Sequence, residues 1–202
     1  MKKQTRKVII VTDGDMVAKR TVEIAARNVG ARCISLSAGN PTPISGQQAV
    51  ELIKLTPHDP VVLMVDDRGN TGFGKGEQVL DYVVRHPEID VLGVVAVASN
   101  TSGIQGTRVD KSITRDGVIV DGPVDKYGQP EPANHKYLEG DTVSVLNSLD
   151  VKVIIGLGDI GKMDMADDIS NGAPLTTLAL QEVINRSGYK NGRNDGSKDP
   201  GK

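Results

Sequence analysis

Apolar positions along the first half of the chain alternate between two spacings. Lys7–Val11 (K-V-I-I-V) is an unbroken run ended by T-D-G-D, which predicts a strand and then a turn. From Met16 to Val29, Ala18, Val22, Ala25 and Val29 recur on one helical face, and Gly30 stops that helix. Arg32–Leu36 predicts a second strand, and A-G-N-P-T-P-I-S-G a loop. A helix over Gly46–Leu55 leads to a third strand at Pro60–Val65. After a glycine-rich loop, Val79, Leu80, Val83 and Val84 form the core stripe of another helix, which stops before Pro87. Ile89–Ala98 predicts the fourth strand. Strands and helices in this rhythm imply a parallel sheet covered on both faces.

Residues 99–141 break the rhythm with few large apolar residues and many turn signals. They predict a β-hairpin, Val109–Thr114 with Val118–Val120 around R-D-G, and then an irregular excursion. A loop of that length inside a compact domain is unusual unless it has a job. A short helix at Thr142–Leu149, a last strand at Val151–Ile155, the loop G-L-G-D-I-G-K and a final helix at Leu175–Arg186 complete the pattern. The tail, residues 188–202, has no aliphatic residue and is expected to be disordered. The expectation is a single α/β domain over residues 6–187, a mostly parallel open sheet with helices on both faces, Rossmann-like or Toprim-like, with a hairpin and long-loop insertion.

Composition sharpens this. With one Phe, four Tyr and no Trp in 202 residues, the core must be aliphatic. A net charge of −2 without a block of Lys/Arg argues against nucleic acid as the main partner. The single cysteine, Cys33, excludes an internal disulfide and a cysteine metal cluster, and in its strand it reads as an inert core thiol. The longest apolar run, residues 91–98, is eight residues, where a membrane-spanning helix needs roughly 20. No signal-peptide core follows the basic start, so a soluble, intracellular chain is expected.

Three patterns carry candidate chemistry. Gly69–Lys75 reads G-N-T-G-F-G-K, the start of a phosphate-binding P-loop, but Gly76 stands where the Mg²⁺-ligating hydroxyl belongs. Gly156, Gly158 and Gly161 imitate a dinucleotide fingerprint without its following strand and acidic residue. Asp13 and Asp15 follow the first strand, Asp66 and Asp67 the third, and Asp159 the last. In an open parallel sheet such ends share one edge, where carboxylates can hold Mg²⁺ or Ca²⁺. The D-G and D-D-x-G strings loosely resemble the Toprim-type metal site, although Asp13 stands where that family has Glu. The plainer reading is that aspartate is common in turns and at helix N-caps, as at Asp15.

Gly69, Gly74 and Lys75, with Ser99, Asn100 and Thr101, are candidate contacts for an anion. Phe73, alone in a loop, is a candidate contact for a partner. His58, His86 and His135 have no metal-ligand spacing and read as solvated. No assembled nucleophile–base pattern is present.

Four strings span most of the chain: K-V-I-I-V-T-D-G-D, V-D-D-R-G-N-T-G-F-G-K-G-E, A-S-N-T-S-G-I-Q-G-T-R-V-D-K-S-I-T-R-D-G and G-L-G-D-I-G-K-M-D. With them the chain resembles the soluble stage V sporulation protein AE family of endospore-forming bacteria, over about residues 6–187. The resemblance implies an accessory protein of the operon that moves calcium dipicolinate into the developing spore and out at germination. Such a protein would bind partners or a small anionic ligand. It would lie in the cytoplasm of the forespore or spore, or peripherally at the inner membrane, beside other proteins of the transport complex. The resemblance transfers no catalytic residues. The alternative from the residues is a Mg²⁺-dependent phosphate-handling enzyme using Asp13, Asp66 and Lys75.

Overall fold

The computed structural model describes residues 5–68, 73–99, 106–140 and 142–190. Its sheet has seven strands in the order β2-β3-β1-β4-β7-β5-β6. They are β1 (Arg6–Val11), β2 (Arg32–Cys33), β3 (Val61–Met64), β4 (Ile89–Val97), β5 (Lys111–Ile113), β6 (Ile119–Val120) and β7 (Ile154–Leu157). All neighbours run parallel except β5 and β6. Four helices cover the sheet: α1 (Met16–Asn28), α2 (Gly46–Leu55), α3 (Lys75–Arg85) and α4 (Pro174–Ser187).

The strands are apolar on both sides because both sides are core. In β1, Ile9 and Val11 join Ala18, Val22 and Ala25 of α1 and Leu180 and Val183 of α4. Val8 and Ile10 point the other way, toward Ala49 and Ile53 of α2 and Val79, Leu80 and Val83 of α3. This period-two division inside a continuous apolar run is what a sheet between two helix layers requires. In β4 the register against β1 jumps from Val91 to Gly93, and this bulge lets Leu92 and Val94 serve opposite layers.

The α/β reading holds, and so do its main elements; α2 occupies Gly46–Leu55, the span its apolar pattern predicts. A capping box between Ser45 and Gln48 fixes where it starts. Three elements differ from expectation. The second strand pairs only through Arg32 and Cys33, since the chain curls into a 3-10 turn at Ser35–Ser37. There Ser37 Oγ donates to the Ile34 carbonyl and accepts from Met64 N–H, so a side chain replaces the next rung of the ladder. The helix expected at Thr142–Leu149 is a 3-10 turn, Ser144–Ser148, whose buried residues Val145 and Leu146 are adjacent rather than helically spaced. The last strand begins at Ile154, where pairing of Val94–Val97 with Ile154–Leu157 sets the register.

The excursion is not a loop laid on the surface. Its hairpin supplies β5 and β6, with β5 parallel to β7, so it extends the main sheet. Downstream, it braces strand ends: Lys126 O accepts from Asp159 N, Glu139 O from Ser99 N, and Gly128 O from Arg115 N, at 2.9–3.0 Å. That is the job the long insertion does.

Candidate functional site

The strand order reverses at β1, with β3 on one side and β4 on the other, so a crevice is expected at their carboxyl ends. Threonine hydroxyls hold that edge beyond the last regular rungs. Thr12 Oγ1 accepts from Val97 N–H at 2.9 Å and ties the end of β1 to β4. Buried Thr42, in the Pro-rich loop after β2, brackets the backbone of Asp66. Its Oγ1 accepts from Asp66 N–H at 2.8 Å, and its own N–H donates to Asp66 O at 2.9 Å. Strand ends held in this way are rigid supports for the side chains that follow them.

Asp13, Asp66 and Asp159 project from β1, β3 and β7 into this edge. Asp66 is buried, its carboxylate accepting from Gly14 N–H at 3.3 Å and from Arg68 N–H at 3.1 Å. Asp15 is exposed and caps α1, accepting from Val17 and Ala18 N–H at 2.7 and 2.9 Å, as its sequence position suggests. Asp13 is crowded. Burial first, and then the negative charges of Asp15, Asp66 and Asp159, push its carboxyl well above the usual carboxylate range. Asp159 is salt-bridged to Lys162, and this contact raises the lysine above its ordinary value. The edge thus gathers carboxylates from three strand ends, and Lys162 pairs with the one from β7. Among the described residues, however, no three His, Cys, Asp or Glu side chains are placed to hold a metal ion.

Asp67 works differently. It is fully buried, and its two oxygens accept from Gly76 N–H at 2.6 Å and Glu77 N–H at 2.9 Å, in the first turn of α3. The helix N-terminus that a P-loop keeps for phosphate is filled by the chain's own carboxylate. The glycines follow from that packing. A Cβ at Gly74 would lie 2.2 Å from Asp67 Oδ1, and one at Gly76 would lie 2.7 Å from the Asp66 backbone N and O. Glu77, also buried, accepts from Gly74 N–H and Ser144 Oγ. Burial raises its carboxyl, and the nearby Asp67 adds to the effect. Lys75 opens α3 and is exposed. Phe73 is 59% exposed at the mouth of the same loop. Gly69, Asn100 and Thr101 lie outside the described residues.

Ser99 sits at the end of β4 and lines a 250 Å³ cleft with Lys126, Tyr127, His135 and Glu139 of the excursion. His135 stands 3.7 Å from Glu139. Cys33 is half-buried and packs against the core rather than within it, its thiol pushed up to about 12 by burial.

Sequence reasoning missed Asp167. It is buried beneath the first turn of α4, accepting from Leu175 and Thr176 N–H at 2.7 and 3.0 Å and from the Thr176 hydroxyl. In M-D-M-A-D-D it looks like one more surface charge. The available signal was the A-P that follows, which marks a helix start in need of a cap. Lys162 was missed too, for want of any sign that it would face Asp159.

With the geometry in place, comparison with known proteins adds one finding. The family model described as stage V sporulation protein AE1 matches residues 7–187. No curated protein and no solved structure matches the chain. The chain belongs to the stage V sporulation protein AE1 family.

Proposed function

Proceeding from that membership in a sporulation family, we propose that the chain is an accessory component of the machinery that moves calcium dipicolinate across the spore inner membrane. The carboxyl edge of its sheet receives the calcium end of the chelate. The observation that carries this reading is the crowding of Asp15, Asp66 and Asp159 about Asp13. Such an edge gains by meeting positive charge. Calcium takes six to eight oxygen ligands, roughly, and the described residues do not form a cage for a bare ion. An ion already chelated by dipicolinate needs only part of its shell from the protein. It enters as cargo rather than as a resident cofactor. Among the described residues no helix is long and apolar enough to cross a membrane. In this reading the chain acts peripherally at the inner membrane of the forespore or spore, beside membrane-spanning proteins of the transport complex.

Calorimetric titration tests this with three probes: calcium dipicolinate, Ca²⁺ alone and dipicolinate alone. The chelate should bind more tightly than either component, and Asp13→Asn should weaken it by about tenfold, the loss of one charged contact. Equal binding of chelate and bare Ca²⁺, or no binding at millimolar concentration, would remove the reading.

A second reading, a Mg²⁺-dependent phosphate-handling enzyme with a Toprim-like acidic edge, draws on one observation: the Asp66 carboxylate lies against the backbone of Gly14, beside Asp13. It predicts Mg²⁺-dependent nucleotide or phosphate-ester turnover that Asp66→Ala abolishes. Absence of turnover by the intact protein sinks it.

A further inference from the structure

A cavity of about 430 Å³ opens between the start of α1 and the loop joining β7 to α4. Its floor is Met163 at 1% exposure beside Thr21 at 2%, whose hydroxyl is spent on the Val17 carbonyl. Its rim is apolar, yet faces water: Met16, Val17, Met165 and Ile169 are 63, 54, 68 and 42% exposed. Apolar side chains gathered around a concavity, three of them methionines across floor and rim, make an adaptable binding surface.

The loop's backbone provides an independent observation. Asp164 and Met165 are consecutive non-glycine residues in the left-handed region, with φ of 48° and 62°. Each such residue costs about 1 kcal/mol or more. Elsewhere in the same loop positive φ falls on Gly161 and Gly172, and on Ala173 where α4 begins. At 164–165 it tolerates the strain and holds a methionine out into solvent.

The charges select the occupant. Asp167 is spent on α4, Asp168 accepts from Ser170 N–H and Oγ, and Asp164 is paired with Arg115. Arg20, exposed on the α1 wall, has no hydrogen-bond or ion-pair partner among the described residues. The groove therefore presents apolar contacts beside one uncommitted cation. The chain's own residues 191–202 contain no aliphatic side chain to fill it. A lipid surface rewards clustered cations at about 1 kcal/mol each, and here a single arginine stands among aspartates. A second copy would present the same rim, whose carboxylates at Asp164, Asp167 and Asp168 already hold Arg115, α4 and Ser170.

We propose that this groove docks a protein segment that inserts apolar side chains between Met16, Val17, Met165 and Ile169 and places an Asp or Glu on Arg20. This deepens the partner-binding part of the reading above and rests on it only for there being a partner. A failed chelate titration leaves the groove untouched, and a failed groove experiment leaves the titration untouched.

The test is a photo-crosslinking residue at position 165 of the full chain in sporulating cells, with the adduct mapped by mass spectrometry. A second probe goes at Leu55, 80% exposed on the opposite helix layer. The expected adduct at 165 is one protein segment carrying apolar residues and an acid. Its yield should fall by about tenfold in Arg20→Glu, the effect of placing like charges at a rim pair. Replacing the partner's acid with Arg should restore it. The Leu55 adducts should not respond to Arg20→Glu. An adduct with lipid, an adduct with a second copy, a yield no higher than at Leu55, or a yield indifferent to Arg20→Glu would each overturn the proposal.

Discussion

Helices α3 and α4 lie on opposite faces of the sheet, yet each seats its first turn on a buried aspartate from the preceding loop. Asp67 stands nine and ten residues before the N–H groups it accepts, and Asp167 eight and nine before its own. The two solutions differ in what surrounds the carboxylate. At α3 both oxygens face backbone N–H groups, and glycines at 74 and 76 let the loop press onto Asp66 and Asp67. At α4 one oxygen faces the Thr176 hydroxyl, and Pro174 opens the helix. A glycine-rich string before a helix is therefore no sign of a bound phosphate by itself. The same string serves whenever an internal carboxylate must take the anion's place.

The largest way to break this pairing is Asp67→Ala, which leaves two buried N–H groups of α3 without acceptors. A loss of about 3 kcal/mol is expected, seen in thermal unfolding as roughly 6–12 °C for a domain of this size. Gly76→Ala should follow at about 2 kcal/mol, because the obstacle is backbone and cannot yield. The Asn variants sharpen the contrast. In Asp67→Asn the new amide must face an N–H donor, whereas in Asp167→Asn it can donate to Thr176 Oγ1 once that hydroxyl turns. Asp67→Asn should therefore cost about 1 kcal/mol more than Asp167→Asn, a difference set by one orphaned donor. Equal losses would mean that the two caps are not chemically distinct.

Asp13, which caps nothing, should move the other way. Because burial raises its folded value, its favourable contribution is complete below the ordinary carboxylate range and is lost as pH rises through the raised value. Asp13→Asn should stabilise the fold at pH 7 by on the order of 1 kcal/mol, with the gain shrinking toward pH 4 in a melting series. The smallest expected effect is at Met165, where Gly relieves the left-handed strain. Met165→Gly should raise stability by about 0.5 kcal/mol while losing the groove contact, a trade that chemical denaturation can resolve.

Much of the fold was legible because its signals are local. Apolar runs gave β1, β3 and β4, and a helical stripe with Ser45 and Gln48 gave α2 its bounds. The insertion's pairing was not legible. β5 and β6 are three and two residues long, and β5 finds its parallel partner 44 residues downstream, Lys111 opposite Ile155. Strand ends placed Asp13 and Asp66 near one another, and parallel topology makes that inference sound. Nothing in the string D-D-R-G separates Asp66, which faces the edge, from Asp67, which serves the helix. The alternation of side chains after β3 decides it, and the strand's last paired residue cannot be read from composition.

The strand order also governs how the chain can be assembled. β7 lies between β4 and β5, both of which precede it in sequence. Until residues 154–157 arrive, the hairpin has no place in the sheet, and β4 keeps an open edge. During synthesis that edge is exposed while some sixty further residues emerge, the condition under which unpaired strands invite misassembly. Completion is then a late, long-range event that joins both halves at once, so truncations that end before Leu157 should yield a chain with no closed sheet rather than a shortened one.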